Sequence, residues 1–175
     1  MNIYKTEIYK RYGVQISEFN ETLKDLWEED APININVLID CICLQMDIME
    51  TVGMTFYAIS MDDIYFVNGV FVMMGKTIKL EKDSFTFLSP PLLDKKRYFH
   101  YPAFFTQKCL PCSFPKSSIY YSIGLIILCI LVGFPRLSGT EYLINDEPIC
   151  NAIEKTTEKQ QYFLKRCFAG ELLFI

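Results

Sequence analysis

The chain of 175 residues has a single histidine, His100, and a single tryptophan, Trp27. One histidine excludes any site built on paired imidazoles. His100 has no serine or cysteine at motif spacing to serve as a general base. A basic excess is also lacking: the net charge of −4 argues against a nucleic-acid binder, because phosphate neutralisation needs a cationic face. The N-terminal run MNIYKTEIYKRYG alternates charged and apolar residues and has no apolar core of a secretory signal. With no such signal, seven cysteines, an odd number, are expected as free thiols in a reducing compartment, with the cytoplasm as default location. Internal repeats and low-complexity linkers are absent too.

What is present is a hydrophobic half of the chain, with 15% aromatic residues, enough for a core without metal or disulfide staples. Residues 15–28 put Ile16, Phe19, Leu23, Leu26 and Trp27 on one helical face, and Glu29, Asp30 and Pro32 end it. A second helix is expected from Asn34 or Asn36 to Val52, with Val37, Cys41, Leu44, Ile48 and Val52 sharing a face and Gly53 as its left-handed stop. Ile64–Val67 and Val70–Met73 flank Asn68-Gly69, the pair that best suits a two-residue hairpin turn needing φ > 0 twice. Thr77–Leu80 and Phe85–Leu88 form a further expected pair around the polar loop EKDS. Residues 89–115 carry five of the eight prolines and read as a long ordered loop, and Pro148–Phe168 reads as one helix.

Ser117–Phe134 contains eighteen uncharged residues and supports two opposite readings. As hydropathy alone it is a membrane span at 117–134, slightly short of the ~20 residues a bilayer requires. The protein would then be single-pass, with a small cytosolic domain before the span. The other cause of an all-round apolar helix is burial in protein. Tyr121-Ser122-x-Gly124, followed by aliphatics and Gly133, resembles the W-S-x-G…G helix at the centre of the eukaryotic protein-kinase C-terminal lobe.

Other residues carry the same resemblance in the same order. Leu38–Glu50 resembles the long helix before the catalytic loop. Asp63–Gly69 is similar to the E-N-I-L-L-x-x-G after the catalytic Asp, Tyr101-Pro102-Ala103 to A-P-E, and Phe163–Phe168 to the terminal helix. The resemblance covers residues 35–175 and makes 1–34 an N-terminal helical extension. It implies an α+β, predominantly α-helical fold with a small β-hairpin region and a buried central apolar helix.

The resemblance also implies loss of the chemistry. Phosphoryl transfer needs a catalytic Asp, magnesium ligands and a phosphate cover. The H-R-D position falls on Tyr57-Ala58-Ile59, so Ile59 replaces the carboxylate. The magnesium Asn becomes Ile64, and the D-F-G site falls on Met73-Met74-Gly75 or one residue later. The A-P-E glutamate is Ala103, after Pro102, and no basic residue follows Arg166 to pair with one. Ile119 stands where an Asp opens the central helix. About 35 residues precede the long helix and hold no G-x-G-x-x-G, so no nucleotide lobe is expected. No catalytic residue, cofactor or metal is assigned.

The expected protein is thus a pseudokinase-like binder of another protein, a protein kinase for instance, or of itself. The surface around Val70, Val72 and the top of the long helix would face water unless a partner or the N-terminal helices cover it. Truncated kinase-like proteins of this kind are familiar in large DNA viruses, and the alanine-poor, Ile/Phe/Tyr/Lys-rich composition fits an AT-rich genome. Three smaller features read as structural. Asp62-Asp63 is a solvated turn before a strand, the alternative being a relocated metal site. Cys109-x-x-Cys112 would need a thiol activated at a helix N-terminus to act as a redox pair, and as half a zinc site it lacks a second pair, His100 supplying only a third ligand. Lys95–Tyr101 mixes basic and aromatic residues and is read as an exposed loop anchored by its rings, not as a single-strand nucleic-acid platform.

Overall fold

The structure, a computed structural model, describes residues 2–15, 17, 20–91, 101, 103–106, 109–133 and 147–170. It is mixed α+β. Contacts group the chain into two compact units, Met1–Lys82 and Asp83–Ile175.

The first unit begins with α1 (Asn2–Tyr12), closed by Gly13 at φ +68. A two-residue strand β1 (Glu21–Thr22) leads directly into α2 (Leu23–Glu28). This helix is much shorter than the 15–28 expected. The reason is Thr22: its hydroxyl accepts from the Asp25 N–H while its own N–H donates to the Asp25 carboxylate, a reciprocal cap that fixes the start at Leu23. Ile16 and Phe19 lie outside the described residues. Asn34 caps α3 (Ile35–Thr51) by accepting from the Val37 N–H at 3.2 Å, and Gly53 follows at φ +73. The buried face of α3 is not the one expected. Leu38, Cys41, Ile42, Gln45, Met46 and Met49 are enclosed, whereas Val37, Leu44, Ile48 and Val52 are half-buried. A helix apolar on most sides leaves periodicity unable to choose among faces, and the partners of Gln45 decide it.

β2 (Met54–Ala58) is followed by a 3₁₀ turn at Met61–Asp63, then by β3 (Ile64–Val67) and β4 (Val70–Met73). The hairpin forms as expected, with Val67 opposite Val70 and Asn68 and Gly69 at φ +49 and +82. β5 (Lys76–Lys79) turns back to pair antiparallel with β2, not with the strand after the EKDS loop. β1, β3 and β4 make one three-stranded sheet.

In the second unit β6 (Ser84–Phe87) pairs with β7 (Cys112–Pro115), Phe85 opposite Phe114. The stretch read as a loop therefore contains a strand, and also a short helix α4 (Ala103–Thr106). Alternation explains β7: Cys112 and Phe114 are buried, Ser113 and Pro115 exposed, and a terminal proline costs no interior ladder bond. Phe85, Phe87, Phe104 and Phe114 pack edge-on or tilted with centroids 4.8–6.2 Å apart.

α5 (Ser118–Val132) holds the apolar run and stops at Gly133 in the left-handed region. The expected single C-terminal helix is two, α6 (Glu147–Glu154) and α7 (Glu158–Ala169). Thr157 starts α7: its hydroxyl accepts from the Gln160 N–H, and its own N–H donates to Gln160 Oε1.

Candidate functional site

Four of the positions that carry the kinase resemblance come together in the first unit. Ile59 and Ile64 are fully buried on either side of the 3₁₀ turn, and Ile64 opens β3 opposite Met73. The Met74 N–H donates to the Asp63 carbonyl at 2.7 Å. Gly75 lies so close to the chain after β2 that a Cβ there would sit 2.6 Å from the Ala58 carbonyl oxygen and 3.1 Å from Ile59 Cβ. Segments 58–64 and 73–75 thus face one another at backbone distance. At Ile59, Ile64 and Met74 the side chains are hydrocarbon and thioether, which neither move protons nor hold magnesium; the polar side chains of the same segments are Ser60, Asp62 and Asp63.

The adjacent acids serve the turn. Asp63 accepts from the Ser60 N–H at 2.9 Å and from its hydroxyl at 3.1 Å, and Asp62 lies 3.7 Å from Lys24 Nζ. Among the described residues no three His, Cys, Asp or Glu converge as a metal site. Gly75→Ala is expected to cost about 1–3 kcal/mol, because the clash is with a carbonyl held in the β2–β5 ladder. A lowered urea midpoint measures it; an unchanged midpoint would mean that the two segments are not in contact.

The remaining positions lie in the second unit. Pro102 is outside the described residues, as are His100 and Lys95–Phe99. Ala103 opens α4 and is half-buried, beside Tyr101, whose ring meets those of Phe104 at 5.7 Å and Tyr121 at 5.5 Å. Ser122 and Gly124 are buried in α5. A Cβ on Gly124 would meet Phe168 Cζ at 2.8 Å and Cys167 Cβ at 3.0 Å, so α7 crosses α5 at this glycine. Twelve consecutive residues, Ser118–Cys129, are buried, on the polar as well as the apolar positions. Ser118 donates to the Pro115 carbonyl at 2.8 Å, while Ser122 Oγ is enclosed with no hydrogen-bond partner among the described residues. α5 is roughly 22 Å long at 1.5 Å per residue, against a hydrocarbon core of about 30 Å. No helix among the described residues is long and apolar enough to cross a membrane. Cys109 is exposed and Cys112 buried in β7, and the two do not form a disulfide.

Sequence reasoning missed the polar centre of the first unit. In a two-residue hairpin the paired positions alternate between bonded and non-bonded, which turns the polar groups of Phe71 and Met73 to the outer edge of β4. That edge is buried, and Gln45 of α3 satisfies it. Its Nε2 donates to the Phe71 carbonyl at 2.6 Å and its Oε1 accepts from the Met73 N–H at 2.8 Å. The Tyr4 hydroxyl lies 2.9 Å from both Gln45 Oε1 and the Met73 carbonyl, its one proton serving either. Burial pushes the Tyr4 hydroxyl far above the usual phenol range. Tyr12 also neighbours Gln45 and Cys41, and burial raises its pKa while the Gln45 hydrogen bond opposes the rise. Burial, then the nearby Asp40, pushes the Cys43 thiol up to about 11, so it is inert at neutral pH. The signal for this centre was one uncharged polar residue, Gln45, within the largely apolar stretch VLIDCICLQMDIM.

No protein-family model matches the chain, and no curated protein matches it.

Proposed function

We propose that the chain is a catalytically silent, cytoplasmic protein resembling a kinase C-terminal lobe, and that it acts by binding protein. The order of elements supports this reading: long helix, strand, tight turn, Asn-Gly hairpin, a return strand on the first, then a short helix and an enclosed apolar helix with a glycine at a helix crossing. The observation that carries it is the convergence of Ile59, Ile64, Met74 and Gly75 around one turn. This is where the resemblance puts the catalytic Asp and both magnesium ligands, and the side chains present are apolar. Phosphoryl transfer there would lack the carboxylate and the magnesium ligands at the motif positions, and the neighbouring Asp63 and Asp62 are engaged by Ser60 and Lys24.

A thermal-shift titration of the full chain with ATP and magnesium tests the reading. The melting temperature is expected to stay unchanged up to millimolar nucleotide. A saturable, magnesium-dependent rise would overturn it, since a ligand that favours the native state must raise the transition.

A further inference from the structure

The face expected to lie open around Val70 and Val72 is closed by the chain itself, Val72 fully buried and Val70 half-buried. A different surface, on α7, stays open. The inner side of this helix holds the buried Leu164 and Cys167, the latter against Gly124 of α5. On its outer side Lys159, Tyr162 and Lys165 follow one another at three-residue spacing, all exposed, with Arg166 one turn beyond Tyr162. Tyr162 is 59% exposed, and among the described residues of the second unit no other aromatic ring is so open.

The ring is exposed and yet held. The Arg166 guanidinium lies 5.6 Å from its centroid, and Nη1 donates to the Tyr162 hydroxyl at 3.3 Å. A ring already fixed loses little further rotamer freedom on binding. The cations beside it are not neutralised within the fold. Lys10, Lys24 and Lys116 each face a carboxylate, Glu7, Asp62 and Asp83. Lys159 and Lys165 face none among the described residues. The outer side of α7 thus sets three cations against Glu158, in a chain whose net charge is −4.

We propose that this face of α7 docks an acidic amphipathic helix of another protein. Carboxylates one to two turns apart on the partner meet Lys159 and Lys165, and an apolar side chain between them lies on the Tyr162 ring. A tyrosine stacked with an arginine is the anchor chemistry of interface centres, and lysines flanking it belong to the rim. Lys159 and Lys165 are about 9 Å apart along the helix axis, at 1.5 Å per residue. That span suits two helical turns of a partner. It is too short and too sparsely charged for a nucleic-acid backbone, or for a membrane surface that usually takes about four to eight basic residues. Two copies of the face would repel one another. The proposal rests on the protein-binding reading and gives it a partner class. The nucleotide titration tests that reading separately, so the two can fail independently.

The test is fluorescence anisotropy of the full chain with a labelled helical peptide that carries glutamates two turns apart and a leucine between them. Saturable binding is expected at low salt, and none for the same peptide with glutamine in place of glutamate. Lys159→Glu with Lys165→Glu should weaken binding at least about tenfold, and Tyr162→Ala about tenfold, as loss of an anchor does. Lys5→Glu, on the exposed side of α1, should leave it unchanged. All these positions face solvent, so the melting temperature should hold in every variant; Lys159→Gln with Lys165→Gln repeats the test without reversing charge. A chain that ignores the peptide, or binds it equally well after the double reversal or Tyr162→Ala, would overturn the proposal. So would tighter binding to phosphatidylserine vesicles or single-stranded DNA with the same lysine dependence, which would make the face a phosphate site. Light scattering that shows a dimer abolished by Lys159→Glu would make a second copy the occupant and reject the acidic partner.

Discussion

Gln45→Leu is expected to lower the unfolding free energy of the first unit by about 3 kcal/mol, although leucine nearly matches glutamine in volume. The substitution leaves no large cavity, so packing alone predicts a small effect. What it removes is the only described donor to the Phe71 carbonyl and the acceptor of the Met73 N–H, both on a buried strand edge. Each buried polar group left unsatisfied costs about 1–3 kcal/mol. The Tyr4 hydroxyl keeps the Met73 carbonyl and is the least affected partner. Urea unfolding followed by far-UV dichroism reads the change. A near-neutral result would mean that water reaches the edge of β4 and that Gln45 is not its cap.

Gly124→Leu should destabilise the second unit by about 1–3 kcal/mol through overpacking. The first added carbon already falls 3.0 Å from Cys167 Cβ, an atom fixed to the α7 backbone, and 2.8 Å from the Phe168 ring. Tyr121 limits how far that ring can yield, since the two rings stack edge-on at 5.0 Å. The other three isobutyl carbons must go further into the same contact. A single helix facing lipid would accept leucine at this position without loss. Thermal unfolding of Gly124→Leu beside Gly124→Ala gives the gradient: both below the parent, leucine the lower.

Legibility in the sequence followed the range of the determining interaction. The Asn68-Gly69 hairpin, a helix start at Asn34 or Asn36 and the Gly53 stop were readable because each depends on residues within four positions of one another. The split of the C-terminal helix at Thr157 was equally local and was obscured by the apolar positions continuing across it. The strand partners were not readable. β5 pairs with β2 across more than fifteen residues, and β6 with β7 across more than twenty, so adjacency suggested a hairpin that does not form. The buried face of α3 depended on one long-range polar contact, Gln45 with β4. Of the resemblance-derived positions, Ile59, Ile64, Met74 and Gly75 are brought together and Gly124 lies at a helix crossing. Nothing local required either.

The account depends on α5 being enclosed by protein. Carbonate extraction of the full chain expressed in cells measures this directly. Release into the supernatant without detergent is the predicted result, whereas a chain that stays in the membrane pellet until detergent is added would contradict an enclosed Ser118–Val132 helix.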